Sequence, residues 1–273
     1  MKIKIHQERK HPLLSRRLCR IATQIPTGVP FADVGTDHAY LPISLVQSGH
    51  CPQAVAVEVR EGPYQRALQA VQEAGLSDRI AVRLGDGLEP LAAGEVHSVV
   101  LAGMGGDLIR RLLTADPEKT VSFQRLILQP NMASHLVRKA LLDQGWKLCE
   151  EQLVLDGDHL YEILTYEQGT EDSYQAAVQS LCHMRDLAFL KEDWFLLYLL
   201  GPRLLMKECL QETRKLQRGS LVFRRIAYET DKRRRILQGL SQARTFQQEK
   251  VSRVKEELRQ LEVLSRCMHM LRQ

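Results

Sequence analysis

Short apolar runs alternate with amphipathic segments along the first 168 residues of the chain. The apolar runs have strand length and are rich in Val, Ile, Leu and Ala, and most precede a segment whose apolar residues recur at helical spacing. Strands are predicted at residues 31–34, 53–59, 80–84, 98–102 and 125–128, and helices at 39–48, 63–74, 107–113 and 134–144. This alternation predicts a doubly wound, Rossmann-like α/β fold with a mostly parallel sheet.

Two more segments complete this region. Residues 13–22 carry apolar side chains at helical spacing, and Ser15 is placed to form a hydrogen bond in the first turn. Residues 147–155 and 159–166 are strand-like and are separated by Asp156-Gly157, a typical hairpin turn. The hairpin is expected to add one antiparallel strand near an edge of the sheet.

Strand signals stop after about residue 168. Helices are expected near residues 174–187 and 194–200, followed by a break at Gly201-Pro202 and two long antiparallel helices. The first, at about 204–240, is interrupted by Gly219 and has polar residues in its apolar stripe, which leaves its continuity open. The second keeps an a/d rhythm at Val251, Val254, Leu258, Leu261, Ser265 and Met268. We therefore expect a sheet domain at residues 1–168 and a helical, coiled-coil-like domain at residues 169–273.

The end of the first strand carries the most informative chemistry. Asp33 is followed by Gly35, Thr36, Asp37 and His38, so Asp37 stands where a dinucleotide-binding loop has its second glycine. A carboxylate there repels a pyrophosphate but attracts a cation. The pattern therefore argues against NAD and favours S-adenosylmethionine, which carries a sulfonium and an amino-acid group.

Four other strand ends are expected at the same edge of the sheet, because ligands bind outside the carboxyl ends of such strands. Glu58 lies 23 residues after Gly35, a spacing typical of a carboxylate that accepts ribose hydroxyls. The others supply Asp86-Gly87-Leu88, Ala102-Gly103-Met104-Gly105-Gly106 and Gln129-Pro130-Asn131. Taken singly, the acids are also typical of caps, turns or solvated strand ends, and His38 of a turn histidine; together they indicate one ligand site.

Charge is divided along the chain. Residues 1–20 have a net charge of +6, residues 21–202 of −11 and residues 203–273 of +10. Basic ends around an acidic middle suggest arms for a polyanion, although a solvated helical tail explains the C-terminal charge equally well.

The six scattered cysteines favour a reducing cytoplasm over a zinc site or a disulfide scaffold. No signal peptide or membrane span is expected, and no metal is predicted.

Several strings of residues resemble the bacterial tRNA (adenine-22-N1)-methyltransferases. They are Leu14-Ser15-x-Arg17-Leu18, Ala32-Asp33-Val34-Gly35-Thr36-Asp37-His38-Ala39-Tyr40-Leu41-Pro42, Glu58-Val59-x-x-Gly62-Pro63, Gly85-Asp86-Gly87-Leu88, Ala102-Gly103-Met104-Gly105-Gly106, Ile127-Leu128-Gln129-Pro130-Asn131, Tyr161-Glu162-Ile163 and Gly201-Pro202. Thr36 stands where the family is expected to have serine, and both residues have a side-chain hydroxyl. The resemblance covers residues 13 to about 204.

The resemblance implies a class I methyltransferase that uses S-adenosylmethionine and modifies N1 of adenine 22 in tRNA. Cofactor contacts are expected at Asp33, Gly35, Thr36, Asp37, His38, Glu58, Val59, Gly62, Pro63, Asp86, Gly87, Leu88, Ala102, Gly103 and Met104. Base contacts are expected at Tyr40, Gly105, Gly106, Gln129 and Asn131, and tRNA backbone contacts at Arg9, Lys10, Arg16, Arg17, Arg233, Arg234 and Arg235. The protein is expected to be a monomer or weak dimer.

Asp37 is the candidate catalytic residue, because the methylated adenine is cationic and a nearby carboxylate would stabilise it. Binding the cofactor or holding the loop remain equally open roles for this side chain. Two other functions also remain open: a class I methyltransferase with another RNA, protein or small-molecule substrate, and a non-catalytic RNA-binding protein with a degenerate cofactor domain. The intact set of Asp33, Gly35, Glu58 and Asp86 argues against degeneration.

Overall fold

The structure is a computed structural model that describes residues 14–169, 173–183, 185–210, 220–242 and 247–270. Seven strands form one sheet in the order β3-β2-β1-β4-β5-β7-β6. They are β1 (Phe31–Val34), β2 (Ala54–Glu58), β3 (Ile80–Leu84), β4 (Ser98–Gly105), β5 (Arg125–Met132), β6 (Trp146–Asp156) and β7 (His159–Gln168). The first five strands are parallel, and β7 is antiparallel to both of its neighbours. The predicted α/β sheet with an antiparallel strand near its edge is confirmed.

Six helices belong to the sheet region: α1 (Arg16–Ala22), α2 (Tyr40–Gln47), α3 (Glu61–Glu73), α4 (Gly106–Ala115), α5 (Pro117–Ser122) and α6 (Ser134–Asp143). Ser15 caps α1, since its hydroxyl accepts a hydrogen bond from the Leu18 amide. The short helix α5 is not evident from hydrophobic periodicity. It starts because Asp116 accepts a hydrogen bond from the Lys119 amide and because Pro117 occupies its first position, where no amide donor is needed.

Both faces of the sheet are covered, which explains why β1 and β2 are apolar without alternation. On one face Phe31, Ala56 and Ile127 pack with Leu41 of α2 and Val71 of α3. On the opposite face Ala32, Val57 and Leu128 pack with residues of α4, α6 and the C-terminal helices. Adjacent residues of one strand thus enter different cores, as the pleat requires.

After β7, all the regular elements among the residues that the structure describes are helices. It forms α7 (Ser173–Leu181), a 3-10 helix (Arg185–Lys191), α8 (Phe195–Leu200), α9 (Pro202–Leu210), α10 (Leu221–Ser241) and α11 (Gln248–Met270). The span at about 204–240, whose continuity Gly219 left open in the sequence, includes most of α9 and nearly all of α10. The second begins anew at Ser220, whose hydroxyl accepts a hydrogen bond from the Val222 amide at 3.2 Å.

Helices α10 and α11 are antiparallel, because Phe223 lies against His269 while Arg233 pairs with Glu257. The a/d rhythm of α11 matches its burial in part, with Val254, Leu261 and Met268 buried. Leu264 and Cys267 are buried as well. The stripe is wider than a coiled-coil seam because α11 also packs against α8 and the 3-10 helix.

A chain of buried charges joins the sheet to the C-terminal helices, and we call it the charged seam. Arg138 of α6 is fully buried and pairs with Glu151 of β6 at 2.7 Å and Glu162 of β7 at 2.8 Å. Glu162 also pairs with Arg225 of α10 at 3.2 Å. The seam consists of Arg138, Glu151, Glu162, Arg225, Glu229, Arg233 and Glu257, each paired with a member of opposite charge.

The seam also fixes the start of α9. The second carboxylate oxygen of Glu151 accepts hydrogen bonds from the amides of Arg203 and Leu204 at 2.9 and 3.3 Å. Gly201 has a φ of +96°, and a Cβ there would lie 2.6 Å from that oxygen. Gly201-Pro202 is therefore a turn shaped around a buried carboxylate. Among the described helices, none is long and apolar enough to cross a membrane.

Candidate active site

The sheet order brings the predicted strand ends together. Since β3, β2, β1, β4 and β5 are parallel neighbours, their carboxyl ends form one edge, which we call the catalytic edge. This edge carries Asp33, Glu58, Asp86, the residues 102–106 and the residues 129–131. Within the described part of the chain, no group of three or more His, Cys, Asp or Glu side chains is placed to bind a metal ion.

Asp33 is the last but one residue of β1 and is only 7% exposed. Burial, and secondarily the charge of Glu58, raises the pKa of Asp33 to about 6, although a hydrogen bond from the Thr36 hydroxyl at 2.7 Å and the charge of Arg17 oppose the change. Among the residues that the structure describes, no cationic side chain forms an ion pair with the Asp33 carboxylate. A ligand with a positive group would relieve this cost.

The loop between β1 and α2 contains three residues in the left-handed region: Gly35 at φ +76°, Asp37 at +55° and Ala39 at +53°. The Gly35 position is also tightly packed, because a Cβ there would lie 2.6 Å from the terminal methyl of Met104. The loop is held to β2, since the Asp37 amide donates to the carboxylate of Glu58 and the Gly35 amide donates to the Val57 carbonyl. Glu58 is 6% exposed, so it is not a solvated strand end.

The Asp37 side chain points to α3. Its carboxylate pairs with Arg66 at 2.8 Å and lies 3.6 Å from the His38 ring nitrogen. The His38 ring stacks on Tyr40, with 5.1 Å between centroids and 11° between planes. Tyr40 is 44% exposed, so one aromatic surface is open at the start of α2. Among the open roles of Asp37, the contact with Arg66 favours holding the loop.

Gly103 is held by a set of side-chain amides. The Gln129 side-chain oxygen accepts from the Gly103 amide at 3.1 Å, while the Asn131 side chain donates to the Gly103 carbonyl at 2.7 Å. Gln129 also donates to Asn131 at 3.0 Å, and it accepts from the guanidinium of Arg17, which lies over the Tyr161 ring. The peptide of Gly103, at φ +78°, is thereby fixed in a bulge at the end of β4.

Gly105 and Gly106 have different surroundings, although they are adjacent. A Cβ on Gly105 would meet no atom within 4 Å, so this backbone faces open space. A Cβ on Gly106 would lie 2.7 Å from the Met132 carbonyl oxygen and closer still to Ala133. Gly105 therefore permits the approach of a ligand, whereas Gly106 permits the close packing of α4 against the end of β5.

The remaining predicted cofactor residues flank these strands. Gly87 adopts φ +53° and packs against Leu112 of α4, Leu88 is buried and Asp86 is exposed. Val59 is 57% exposed directly after Glu58, and Gly62 and Pro63 lie in the first turn of α3. Ala102 is half-buried beside Gly103. All lie at or directly beside strand ends of the catalytic edge.

Comparison with known proteins identifies the family. A methyltransferase domain model matches residues 14–164. The tRNA (adenine(22)-N(1))-methyltransferase of Bacillus subtilis (strain 168) is 40% identical over 160 residues, which cover 59% of this chain and 67% of that protein. The chain belongs to this methyltransferase family. The resemblance predicted from the motifs is confirmed.

Solved structures agree over nearly the whole length. The B. subtilis M1A22 tRNA methyltransferase TrmK has a TM-score of 0.77 and 31% identity, and the match covers 93% of this chain and 99% of that one. A Streptococcus pneumoniae structure solved in complex with S-adenosyl-L-methionine has a TM-score of 0.72 and 29% identity, with coverage of 93% and 100%. The helical C-terminal region is thus part of the fold of this methyltransferase family.

The basic residues of the methyltransferase fall into different settings. Arg16 is exposed, whereas Arg17 reaches Gln129 and Tyr161 inside the site. Arg233 was expected to contact tRNA but is buried at 6% exposure, pairs with Glu229 and Glu257, and so presents no free guanidinium to a phosphate. Arg234 and Arg235 are exposed, and Arg234 pairs with Asp231 and Glu262. Arg9 and Lys10 lie outside the described residues.

Sequence patterns missed Arg66 and Tyr161 as contributors to the site, and they predicted a different role for Arg17, which was expected to contact the tRNA backbone. Arg66 forms an ion pair with Asp37, and Arg17 donates a hydrogen bond to Gln129. The Arg17 guanidinium also lies over the ring of Tyr161 in the hairpin. Arg17 and Tyr161 both lie in strings that resemble the family, so those strings carried a usable signal. Arg66 lies on a solvated helix face. It is 29 positions from Asp37 in the sequence, so their contact depends on the packing of α3 beside the β1–α2 loop.

Proposed function

We propose that this protein transfers the methyl group of S-adenosylmethionine to N1 of adenine 22 in tRNA. The observation that carries the proposal is the catalytic edge, where two buried carboxylates and an open glycine backbone converge in a member of this methyltransferase family. The B. subtilis relative bears the name of this activity, and the streptococcal neighbour holds this cofactor.

The residues present fit S-adenosylmethionine. Asp33 is a buried carboxylate with a raised pKa, suited to the cofactor's ammonium group. One carboxylate oxygen of Glu58 accepts a hydrogen bond from the Asp37 amide. The other accepts none from a described residue, so it can accept a hydrogen bond from a ribose hydroxyl. Gly35 and Gly103 adopt the positive φ angles that shape the loops around the ligand, and Gly105 leaves open space where the ligand would approach the backbone. When bound, the cofactor supplies an electrophilic methyl group on a sulfonium.

The protein's part in the chemistry is positioning. The N1 lone pair of adenine is free at neutral pH, so no strong base is required, and rate enhancement comes from in-line alignment. Asn131 and Gln129 fix the Gly103 peptide, Gly105 leaves room for the base, and Tyr40 offers an aromatic surface. Because N1 lies on the pairing edge, the adenine must leave its stack to react.

We also propose that exposed cations bind the tRNA backbone. Arg16, Arg234 and Arg235 are exposed, and the basic segment with Arg9 and Lys10 precedes α1 directly. Arg17 is assigned to the active site and Arg233 to the charged seam, so neither is proposed to contact the tRNA backbone. Residues 1–168 would supply the cofactor domain and residues 169–273 the helical tRNA-binding domain. A location in the reducing cytoplasm accords with six cysteines that are all free. The protein is further proposed to be a monomer or weak dimer.

The deciding experiment incubates the protein with labelled S-adenosylmethionine and unmodified tRNA and maps the methylated base. Label is expected only at N1 of adenine 22, and a tRNA with guanine at that position is expected to take none. Glu58→Gln provides a control with weakened cofactor binding. Methylation at another position, or of the guanine control, would overturn the proposed substrate; absence of any cofactor binding would overturn the enzyme class.

A further inference from the structure

A cleft of about 490 Å³ lies where the sheet meets the helical region. Its sheet side is formed by Asn131 at the end of β5 and by His159 and Tyr161 of the hairpin, and its helix side by Arg224 and Tyr228 of α10. The volume is within the range of roughly 300–1,000 Å³ that is usual for small-molecule sites. The cleft is outside the cofactor residues but adjoins them, because Asn131 also holds the Gly103 carbonyl.

Aromatic rings border this cleft from both sides. Tyr228 is 52% exposed, whereas Val222 and Ile226 of the same helix are buried. Across the cleft, the rings of His159 and Tyr161 are 6.1 Å apart, and Arg17 supports Tyr161. Exposed rings that face a cleft are the usual means by which proteins stack unpaired bases.

The polar groups of the cleft suit the rest of a nucleotide. Arg224 is exposed and has no ion pair with any carboxylate that the structure describes. Arg225 lines the same wall, and its buried Nε has no hydrogen-bond partner among the described residues. Asp158 and Asn131 add acceptors and a donor for base edges or ribose hydroxyls. Guanidinium groups beside aromatic rings are suited to phosphate and base together.

We propose that this cleft binds a nucleotide next to the target adenosine in the substrate tRNA, with its base stacked on Tyr228 and its phosphate paired with Arg224. The inference rests on the proposed function and adds a second nucleotide site to it. Its position explains why the helical region is joined rigidly to the sheet by the charged seam: both walls must keep their spacing for one base to fit. The seam residue Arg225 lines the cleft itself.

Kinetics with Tyr228→Ala, Tyr228→Phe and Arg224→Ala test the proposal. Tyr228→Ala is expected to raise the KM for tRNA on the order of tenfold, because a stacked base is lost, whereas Tyr228→Phe keeps the ring and stays near the wild type. Arg224→Ala is expected to raise KM and to lower the slope of log affinity against log salt by about one, the signature of one lost phosphate contact. Tyr228→Ala leaves that slope unchanged.

Arg253→Ala is the matched control, since Arg253 is an exposed arginine of the helical region that does not line the cleft. Cofactor affinity from calorimetry and the melting temperature should be unchanged in all four variants. An unchanged KM in Tyr228→Ala, or equal losses in the Ala and Phe variants, would overturn the stacking role. An unchanged salt slope in Arg224→Ala would overturn the phosphate contact.

Substrates with an abasic site on either side of the target adenosine identify the bound nucleotide. For one of the two substrates, the loss caused by Tyr228→Ala should disappear, because the stacked base is already missing. If the loss persists with both substrates, the cleft does not bind a neighbouring base. This failure is distinct from failure of the proposed function, in which the wild-type protein itself does not methylate adenine 22.

Discussion

The catalytic edge and the charged seam both keep ionised groups away from water, but they do so in opposite ways. In the seam, Arg138 faces two carboxylates within 2.8 Å, and every other member also has a partner of opposite charge. At the catalytic edge, Asp33 and Glu58 are equally buried but receive hydrogen bonds from a hydroxyl and an amide rather than a close guanidinium. Buried charges that are fully paired hold structure, whereas those left without a counter-ion indicate a place for a cationic ligand.

The strongest test of this difference is Arg138→Met. Removing the Arg138 guanidinium leaves the carboxylates of Glu151 and Glu162 buried without their shared cation. Breaking a buried ion pair in this way lowers the free energy of unfolding by about 3–5 kcal/mol. Urea titration at neutral pH measures it. The loss should diminish in acid, where the two carboxylates are protonated.

Arg253→Ala serves as the control for Arg138→Met, because its ion pair with Glu257 is exposed on the arginine side at 78%. It should change the unfolding free energy by less than about 1 kcal/mol. If Arg138→Met proves as stable as the wild type, the seam does not stabilise the junction, and the contrast with the catalytic edge fails.

The two adjacent glycines provide the next test. Gly106→Ala places a methyl group against the backbone of Met132 and Ala133, so its cost should be near the upper end of the roughly 1–3 kcal/mol typical of overpacking. Gly105→Ala meets open space at an ordinary φ of −69° and should leave the melting temperature nearly unchanged while it lowers methyl transfer. Equal melting temperatures would show that Gly106 is not packed as described.

Much of the catalytic edge could be predicted from the chain because its residues lie in or directly after the last residues of short apolar runs that read as strands. The predicted bounds of β1 and β3 agree with the structure, and those of β2 differ by one residue at each end. The strands β4 and β5 run further than expected, to Gly105 and Met132. Their extension depends on the bulge at Gly103, which side chains from the next strand hold in place.

The seam could not be predicted because the pairs that join its different elements are distant in sequence, and only those of Glu229 with Arg225 and Arg233 lie within one helix. Arg138 is 13 positions from Glu151 and 24 from Glu162, and Glu162 is 63 positions from Arg225. In the sequence, Arg225 and Arg233 belong to a basic run that is indistinguishable from a solvated, polyanion-binding helix face. Only the packing of α10 against the sheet and α11 shows which of these cations are buried.

Asp33→Asn tests whether the catalytic edge stores an unfavourable charge. A raised folded-state pKa means that the folded protein binds the Asp33 proton more tightly, so stability is present below the unfolded value of 3.8 and is lost as pH rises through about 6. The Asn variant has no carboxyl group at this position to ionise, so it does not lose this stability as the pH rises. At pH 7 the variant should therefore be more stable than the wild type by about 3 kcal/mol, a difference that vanishes below the unfolded pKa of 3.8.

The same variant should bind S-adenosylmethionine more weakly, because the ammonium group loses its carboxylate. Denaturant titrations at several pH values and calorimetry measure both effects. A variant that is less stable than the wild type at pH 7 would show that Asp33 is a structural carboxylate like those of the seam.

The smallest expected effect concerns the role of Asp37. Asn tolerates the left-handed backbone that Asp37 adopts, so Asp37→Asn removes the charge without straining the loop. If Asp37 acts by holding the loop through Arg66, then Asp37→Asn, Arg66→Ala and the double variant should each weaken cofactor binding by the same few-fold factor, because the exposed pair is broken once in each. If Asp37 instead stabilises the methylated base, Asp37→Asn should lower kcat while Arg66→Ala keeps it. Calorimetry and single-turnover rates on the three variants separate these outcomes, and additive losses would show that the two residues act independently.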